Sequence, residues 1–363
     1  MKGAEGLKAL ILCAGRGTRL QPLTHMRPKM LIPVANRPIL AFIIDKVTEL
    51  GIRDMGIVVS PYNGTAIWEA MGDGAQRNIN ISYIEQMEAG GIAHAVKTAR
   101  SYLGESDFLL YLGDNLIEGS LRGLVQGFIQ RKPHATILLK EVAEPQNFGV
   151  AELDAAGNVI SIEEKPSRPR SCFAIPGIYL FTPRLHEAID LIQPSARGEM
   201  EITDSIQEMI DLGYIVESHI HRGWWLDTGT KDDLLLANRF LLDESKAQRD
   251  GSISGDTDIE GNLQLGSGTF LRKSRIIGPV AIGTNCQITS CTIGPYVSLG
   301  NGCRLEDCSI SNSICLENCS LEHTREVRDS VLGGGVVIRG HGIEKQEMEF
   351  FLADDSLVDL KRG

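Results

Sequence analysis

The chain has 363 residues, 42% hydrophobic and 23% charged, with a formal net charge of −11. That composition is ordinary for a globular protein, and the length exceeds what one hydrophobic core usually serves, so two domains are expected. No apolar run reaches the length of a membrane span, the opening MKGAEGLKALIL lacks a signal-peptide pattern, and the acidic balance without a basic block excludes nucleic acid as the natural partner.

In chain order, KALIL is a short apolar strand, and Pro38 to Leu50 puts Ile39, Leu40, Ile43, Ile44, Val47 and Leu50 on one helical face. GIVVS, ISYIE and DFLLYLG then read as buried strands between helical stretches, which predicts a Rossmann-like α/β sheet with helices on both faces. FGVAELD and VISIEEK, joined at Ala155-Ala156-Gly157-Asn158, predict an added hairpin that makes the sheet mixed. Helices follow around Arg184–Ile192 and Ile202–Leu212, and a last one carries LLLANRFLL before the polar linker DESKAQRDGS.

Beyond Gly251 isolated aliphatics repeat: Ile253, Ile259, Leu265, Leu271 and Ile277, then Ile282, Ile288, Ile293, Leu299, Leu305, Ile310, Leu316 and Leu321. The steps are six or five and the coil-to-coil spacing is 17, as in Leu265–Ile282–Leu299–Leu316. This is the signature of a parallel β-helix with three short strands to a coil, about five coils in all. The expected divisions are 1–245 for the α/β domain, 252–340 for a left-handed β-helix and 341–363 for a C-terminal tail, amphipathic from Met348 to Leu360. Cys286, Cys291, Cys303, Cys308 and Cys319 each precede an inward aliphatic by two residues and should point inward as small apolar filling, whereas Cys315 is out of phase and should face outward. With no CxxC pair among the eight cysteines, a reducing, cytoplasmic compartment is the simplest reading.

The stretch that carries chemistry is CAGRGTRLQPLTHMRPK, residues 13–29, which holds Arg16, Arg19, His25, Arg27 and Lys29 and no acidic residue. Gly15 and Gly17 after a strand suit a tight turn whose N–H groups face phosphate oxygens. A P-loop does not fit, because the loop closes on Thr18-Arg19, and a dinucleotide fingerprint does not fit, because Leu20 stands where its third glycine belongs. Arg19 and Lys29 can still neutralise a polyphosphate.

GRGTRLQPLTHMRPKMLIPVANRPIL resembles the signature of the sugar-1-phosphate nucleotidyltransferases. The resemblance continues in order through YLGDN, FGVAELD, SIEEKP, GEMEITD and WLDTGT, over most of residues 8–240. Within that family it is nearest the long form with a β-helical tail, which transfers a thymidylyl group from dTTP to glucose-1-phosphate and releases pyrophosphate. The resemblance implies Arg19 and Lys29 as catalytic groups. It implies Leu12, Ala14, Gly15, Gly17, Thr18, Gln86 and Gly91 around the nucleotide. It implies Gly149, Glu164, Lys165, Gly177 and Arg197 around the sugar phosphate, with Arg197 as a second phosphate clamp. Asp114 and Asp227 would hold Mg²⁺, a cation suited to carboxylate and phosphate oxygens. His94, His219 and His221 match no catalytic position and read as structural or surface groups, and Trp224 and Trp225 as packing.

Where the thymidylyl type usually reads L-A-G-G, this chain has Cys13-Ala14-Gly15, so uridylyl transfer from UTP is the alternative. A non-catalytic regulatory subunit that binds a nucleotide sugar is disfavoured by the retained Lys29, Asp114 and Asp227. Some β-helical tails are acyltransferases, but here His323 is the one candidate base, so the tail is expected to be structural. The expected partners are a nucleoside triphosphate, a sugar-1-phosphate and further copies of the chain in a homo-oligomer, with no membrane.

Overall fold

The computed structural model describes residues 6–340 and 347–360. Packing groups the chain into two compact units, Met1–Gly15 with Leu40–Asp227 and Arg16–Ile39 with Thr228–Gly363. Packing therefore does not follow chain order, because the basic segment belongs with the C-terminal half.

The first unit is built on one ten-stranded sheet. Its strands are β1 (Lys8–Leu12), β2 (Asp54–Val59), β3 (Asn80–Glu85), β4 (Phe108–Leu112), β5 (Ala135–Glu141), β6 (Gly149–Leu153), β7 (Val159–Glu164), β8 (Phe173–Ala174), β9 (Ile178–Phe181) and β10 (Val216–His221). They lie in the order β7-β6-β8-β5-β9-β4-β1-β2-β3, with β10 also paired to β5. The sheet is mixed, as expected: β1 pairs in parallel with β2 and β4, while β9 is antiparallel to both neighbours. Ala9, Leu10 and Ile11 are wholly buried, which is why KALIL has no polar alternation. Helix α1 (Ile39–Glu49) buries the predicted stripe of Ile39, Leu40, Ile43, Ile44 and Val47. Helices α2 (Ile92–Thr98), α3 (Leu185–Leu191) and α4 (Ile202–Asp211) contribute to the core around Val96, Leu185 and Ile206.

Because β2 lies on one side of β1 and β4 on the other, the winding reverses at β1. Such a reversal opens a crevice beyond the carboxyl ends of the strands, where α/β sheets bind ligands.

In the second unit, helix α5 (Lys231–Asp243) begins on a capping box in which Thr230 and Asp233 bond each other's backbone N–H. The left-handed β-helix follows, as three parallel sheets of seven, seven and five short strands. It is longer than repeat counting suggests. The expected linker already supplies a strand at Gln248–Arg249, and the expected tail supplies strands at Phe351–Leu352 and Leu357–Leu360. Residues 341–346 and 361–363 of that tail lie outside the described residues.

Two inward positions differ from the repeat as counted. Ile276, not Ile277, is the buried member, because Ile259 pairs with Ile276 and Ile276 with Ile293. Cys315 is buried in the prism core rather than facing outward. Its pairing with Leu299 shows the reason: one coil closes in 16 residues, so Cys315 takes the place expected of Leu316. The other ladder cysteines are inward as expected, and the Cys286, Cys303, Cys308 and Cys319 thiols donate to carbonyls at 3.1 Å. They are structural filling.

Candidate active site

The glycine turn comes first in the chain. Leu12 and Ala14 pack on the sheet core, while Gly15 is exposed, with open space where a side chain would project. Asn63 braces the strand end, donating to the Cys13 carbonyl at 2.8 Å and accepting from the Ser60 N–H.

Gly17 lies in the second unit and opens the 3-10 turn Thr18–Leu20 with φ of 64°. That left-handed backbone favours glycine, and a Cβ there would meet the Lys29 Cβ at 3.0 Å. Thr24 closes the loop by donating to the Gly17 carbonyl at 2.9 Å. Lys29, ten residues along the chain from Arg19, is therefore seated directly against the turn, in its own 3-10 turn Lys29–Leu31, and is 5% exposed. The Arg19 guanidinium lies over Gly229 of WLDTGT, where an added Cβ would come within 2.7 Å of it. Gly229→Ala should leave the fold intact, because Arg19 is a flexible side chain, but should push the guanidinium aside. We expect pyrophosphate release to fall about tenfold with an unchanged melting temperature. A wild-type rate would show that Arg19 does not need this seat.

In the first unit, the ladder of Leu116–Ile117 with Trp225–Leu226 organises the two carboxylates. Leu226 opposes Leu116, so one further step brings Asp227 opposite Asn115, the neighbour of Asp114. Asn115 is buried, donates to Asp114 at 2.9 Å and accepts from the Trp225 indole at 2.6 Å. Trp225 in turn meets Phe148 edge to face at 4.9 Å. Asp227 is not a helix cap, since Thr230 performs that role. Among the described residues no group of three or more His, Cys, Asp or Glu could hold a metal ion. Two carboxylates suit a hard cation whose other ligands are phosphate oxygens and water, so the donor set fits Mg²⁺.

The remaining expected residues fall into two groups. Gln86 leaves the end of β3 buried, and its amide donates to His94 Nδ1 at 2.8 Å. Gly91, at φ of 97°, is packed against the Met200 backbone where no side chain would fit. Around the start of β6, Gly149 pairs with Glu164, and a Cβ on Gly149 would strike Thr203 at 2.8 Å. Glu164 accepts from Thr203 at 3.3 Å, and its carboxyl is held above the usual range first by burial and then by Glu201. Lys165 is exposed, with its ammonium 4.0 Å from Glu164. Gly177 (φ 81°) leaves room for Leu112, and its carbonyl accepts from the Leu112 N–H.

Arg197 lies among carboxylates. Its guanidinium bonds Glu201 at 2.8 Å and Glu164 at 3.2 Å, with Glu199 at 3.7 Å. These contacts place the Arg197 guanidinium beside Glu164. His94 bonds the Gln86 amide, a structural contact. Asn115 and Thr203 escaped the sequence reading, although Asn115 directly follows Asp114. His219 and His221 lie on β10 with pKa values lowered by burial, in keeping with a structural role. His323 is exposed beside Asp307 at 3.4 Å.

A mixed sheet whose winding reverses at β1 is the framework of α/β nucleotide-binding enzymes. The chain matches the Nucleotidyl transferase family over residues 8–244 and belongs to it. It is 41% identical to a glucose-1-phosphate thymidylyltransferase of Streptomyces antibioticus, over 98% of this chain and all of that one. A Streptomyces griseus protein of the same name is 41% identical over 92% of this chain and 93% of its own. Among solved structures, a Bacillus anthracis protein described as a candidate glucose-1-phosphate thymidylyltransferase, in complex with sucrose, superposes with a TM-score of 0.62. It is 33% identical and covers 67% of this chain and 98% of its own.

Proposed function

We propose that this chain is a glucose-1-phosphate thymidylyltransferase, making dTDP-glucose and pyrophosphate from dTTP and glucose-1-phosphate. The observation that carries the reading is the seat of Lys29 against the left-handed turn at Gly17, with Arg19 laid over Gly229. Two relatives matched over nearly their whole length carry that name.

The sugar-phosphate oxygen attacks the α-phosphorus in line, and pyrophosphate leaves. An anionic phosphate needs no general base, so positioning and charge neutralisation supply the catalysis. Lys29 bridges the α-phosphate and the incoming sugar phosphate, and Arg19 with the turn amides receives the charge that builds on pyrophosphate. Gln86, oriented by His94, reads the base together with the backbone around Leu12, Ala14, Gly15, Thr18 and Gly91. Glu164, oriented by Arg197 and Thr203, accepts a sugar hydroxyl, Lys165 pairs with the sugar phosphate, and Gly149 and Gly177 keep that wall low. Asp114 and Asp227 would hold Mg²⁺, which when bound neutralises phosphate charge.

The division into residues 1–245, 252–340 and 341–363 is proposed for inherited modules, supported by a family match that stops at 244. A homo-oligomer in the cytoplasm completes the proposal. Among the described residues no helix is long and apolar enough to cross a membrane.

The test is pyrophosphate release with Mg²⁺ and glucose-1-phosphate, run in parallel with dTTP and UTP. Strong preference for dTTP is expected. Equal or better use of UTP would keep the mechanism and move the assignment to a uridylyltransferase, the outcome to which Ala14 points. Release with neither nucleotide would overturn the reading.

A further inference from the structure

The segment that carries Arg19 and Lys29 is bonded to the β-helix on both sides of Lys29. Two residues before it, the Arg27 guanidinium pairs with Glu317 and reaches Asp354 at 3.5 Å. Asp354 is itself aimed by the Gly334 N–H, which donates to it at 2.9 Å. Six and seven residues after Lys29, the hairpin Pro33–Val34 with Arg37–Pro38 turns through Ala35 and Asn36, whose φ values are 45° and 60°. A left-handed alanine is an uncommon conformation that needs outside support. It receives that support from the buried Asn238 of α5, whose side-chain oxygen accepts from the Ala35 N–H at 2.8 Å.

Asn238 is a junction. Its oxygen also accepts from Ser298 at 2.6 Å, and its amide donates to the Tyr296 carbonyl at 3.2 Å, both in the β-helix. Asn36 donates to the Leu299 and Ala281 carbonyls of neighbouring coils at 2.8 and 3.1 Å. The helix that follows Gly229 is moored as well. Lys231 bonds the Asp329 carbonyl and Glu349, and Arg239 bonds Asn312 at 2.6 Å. The seat of Arg19 and the seat of Lys29 are thus both referred to one rigid prism.

We propose that the β-helix is a positioning element of the transfer reaction, with Arg27 and Asn238 as the positioning residues that set Lys29 through the segment 16–39. The tail then acts on turnover without contributing a group that touches substrate. This rests on the nucleotidyl-transfer reading, and it assigns work to residues 347–360, since Asp354 and Glu349 both belong to them.

The experiment compares full-length Arg27→Ala with the double variant Glu317→Gln and Asp354→Asn, which keeps the Arg27 charge but removes its carboxylate partners. Both are expected to lower kcat about tenfold, as small misplacements of a catalytic group do, with KM little changed. Both should speed amide hydrogen exchange within residues 16–39 and leave the coils around Leu271, Ile288 and Leu305 protected. If Arg27 instead touched phosphate directly, the double variant would keep or exceed the wild-type kcat, and the proposal would fall. It would fall equally if both variants lost melting temperature at unchanged kcat, because the tie would then be structural only. Should the wild type release no pyrophosphate, the functional reading fails by itself. The exchange readout then still decides whether the β-helix holds the segment.

Discussion

Asp114→Asn is expected to reduce pyrophosphate release by about 10³ or more while leaving the melting temperature unchanged. Removing one preorganised charge contact typically costs on the order of 10²–10³ in rate, and loss of a cation ligand adds to that. The substitution is chosen because the bond to Asn115 survives it. Asn115 donates to Asp114 Oδ1, and an asparagine carbonyl can accept the same bond. The Trp225 indole, bonded to Asn115, and the ladder to Leu226 are untouched. The measurement is a coupled pyrophosphate assay across a Mg²⁺ titration, with thermal denaturation as control. Near wild-type turnover would remove Asp114 from the metal site, and Asp227 would then have no partner carboxylate in that role.

Lys29→Met should lower kcat by about 10²–10³, the second large effect. Methionine keeps the apolar stem that packs on Gly17 and removes only the ammonium. Because Lys29 is 5% exposed, thermal denaturation is run beside the rate assay to separate loss of the ammonium from loss of packing. A fall in kcat without loss of stability is therefore the signature to look for. A rate within tenfold of wild type would show that Lys29 is not the group bridging the two phosphates. Arg19 would then be the principal cation.

The parts of the site that the sequence shows are those in which one short segment carries both the chemistry and its backbone. The turn at Gly17, the basic run to Lys29 and Asp114 at a strand end are of this kind. What escaped it were side chains whose roles come from partners far along the chain. Arg197 bonds Glu164, 33 residues away, a partner no local pattern announces. Thr203 says nothing by itself until it is seen to donate to Glu164, 39 residues away.

The β-helix shows the same division within a single repeat. A spacing of 17 is set by three flat sides and is legible from the aliphatics alone. Whether a given coil closes in 17 or 16 residues is settled by its corners, where an extra residue can be absorbed at little cost. That choice put Cys315 in the core, whereas Ile276 rather than Ile277 is inward because the coils there keep the spacing of 17 from Ile259 through Ile276 to Ile293.

From its sequence alone, then, this protein has its strands and helices, its repeat, its glycine turn and the identity of its charged groups, because periodicity and local backbone preference act over a few residues. Only the tertiary structure decided that residues 16–39 pack with the C-terminal unit, that Asn238 joins their hairpin to two β-helix carbonyl and hydroxyl groups, and that the last coil reaches Arg27. Those are bonds between residues tens to hundreds of positions apart. They form because buried polar groups must find partners wherever the fold provides them, and no local pattern encodes where that is.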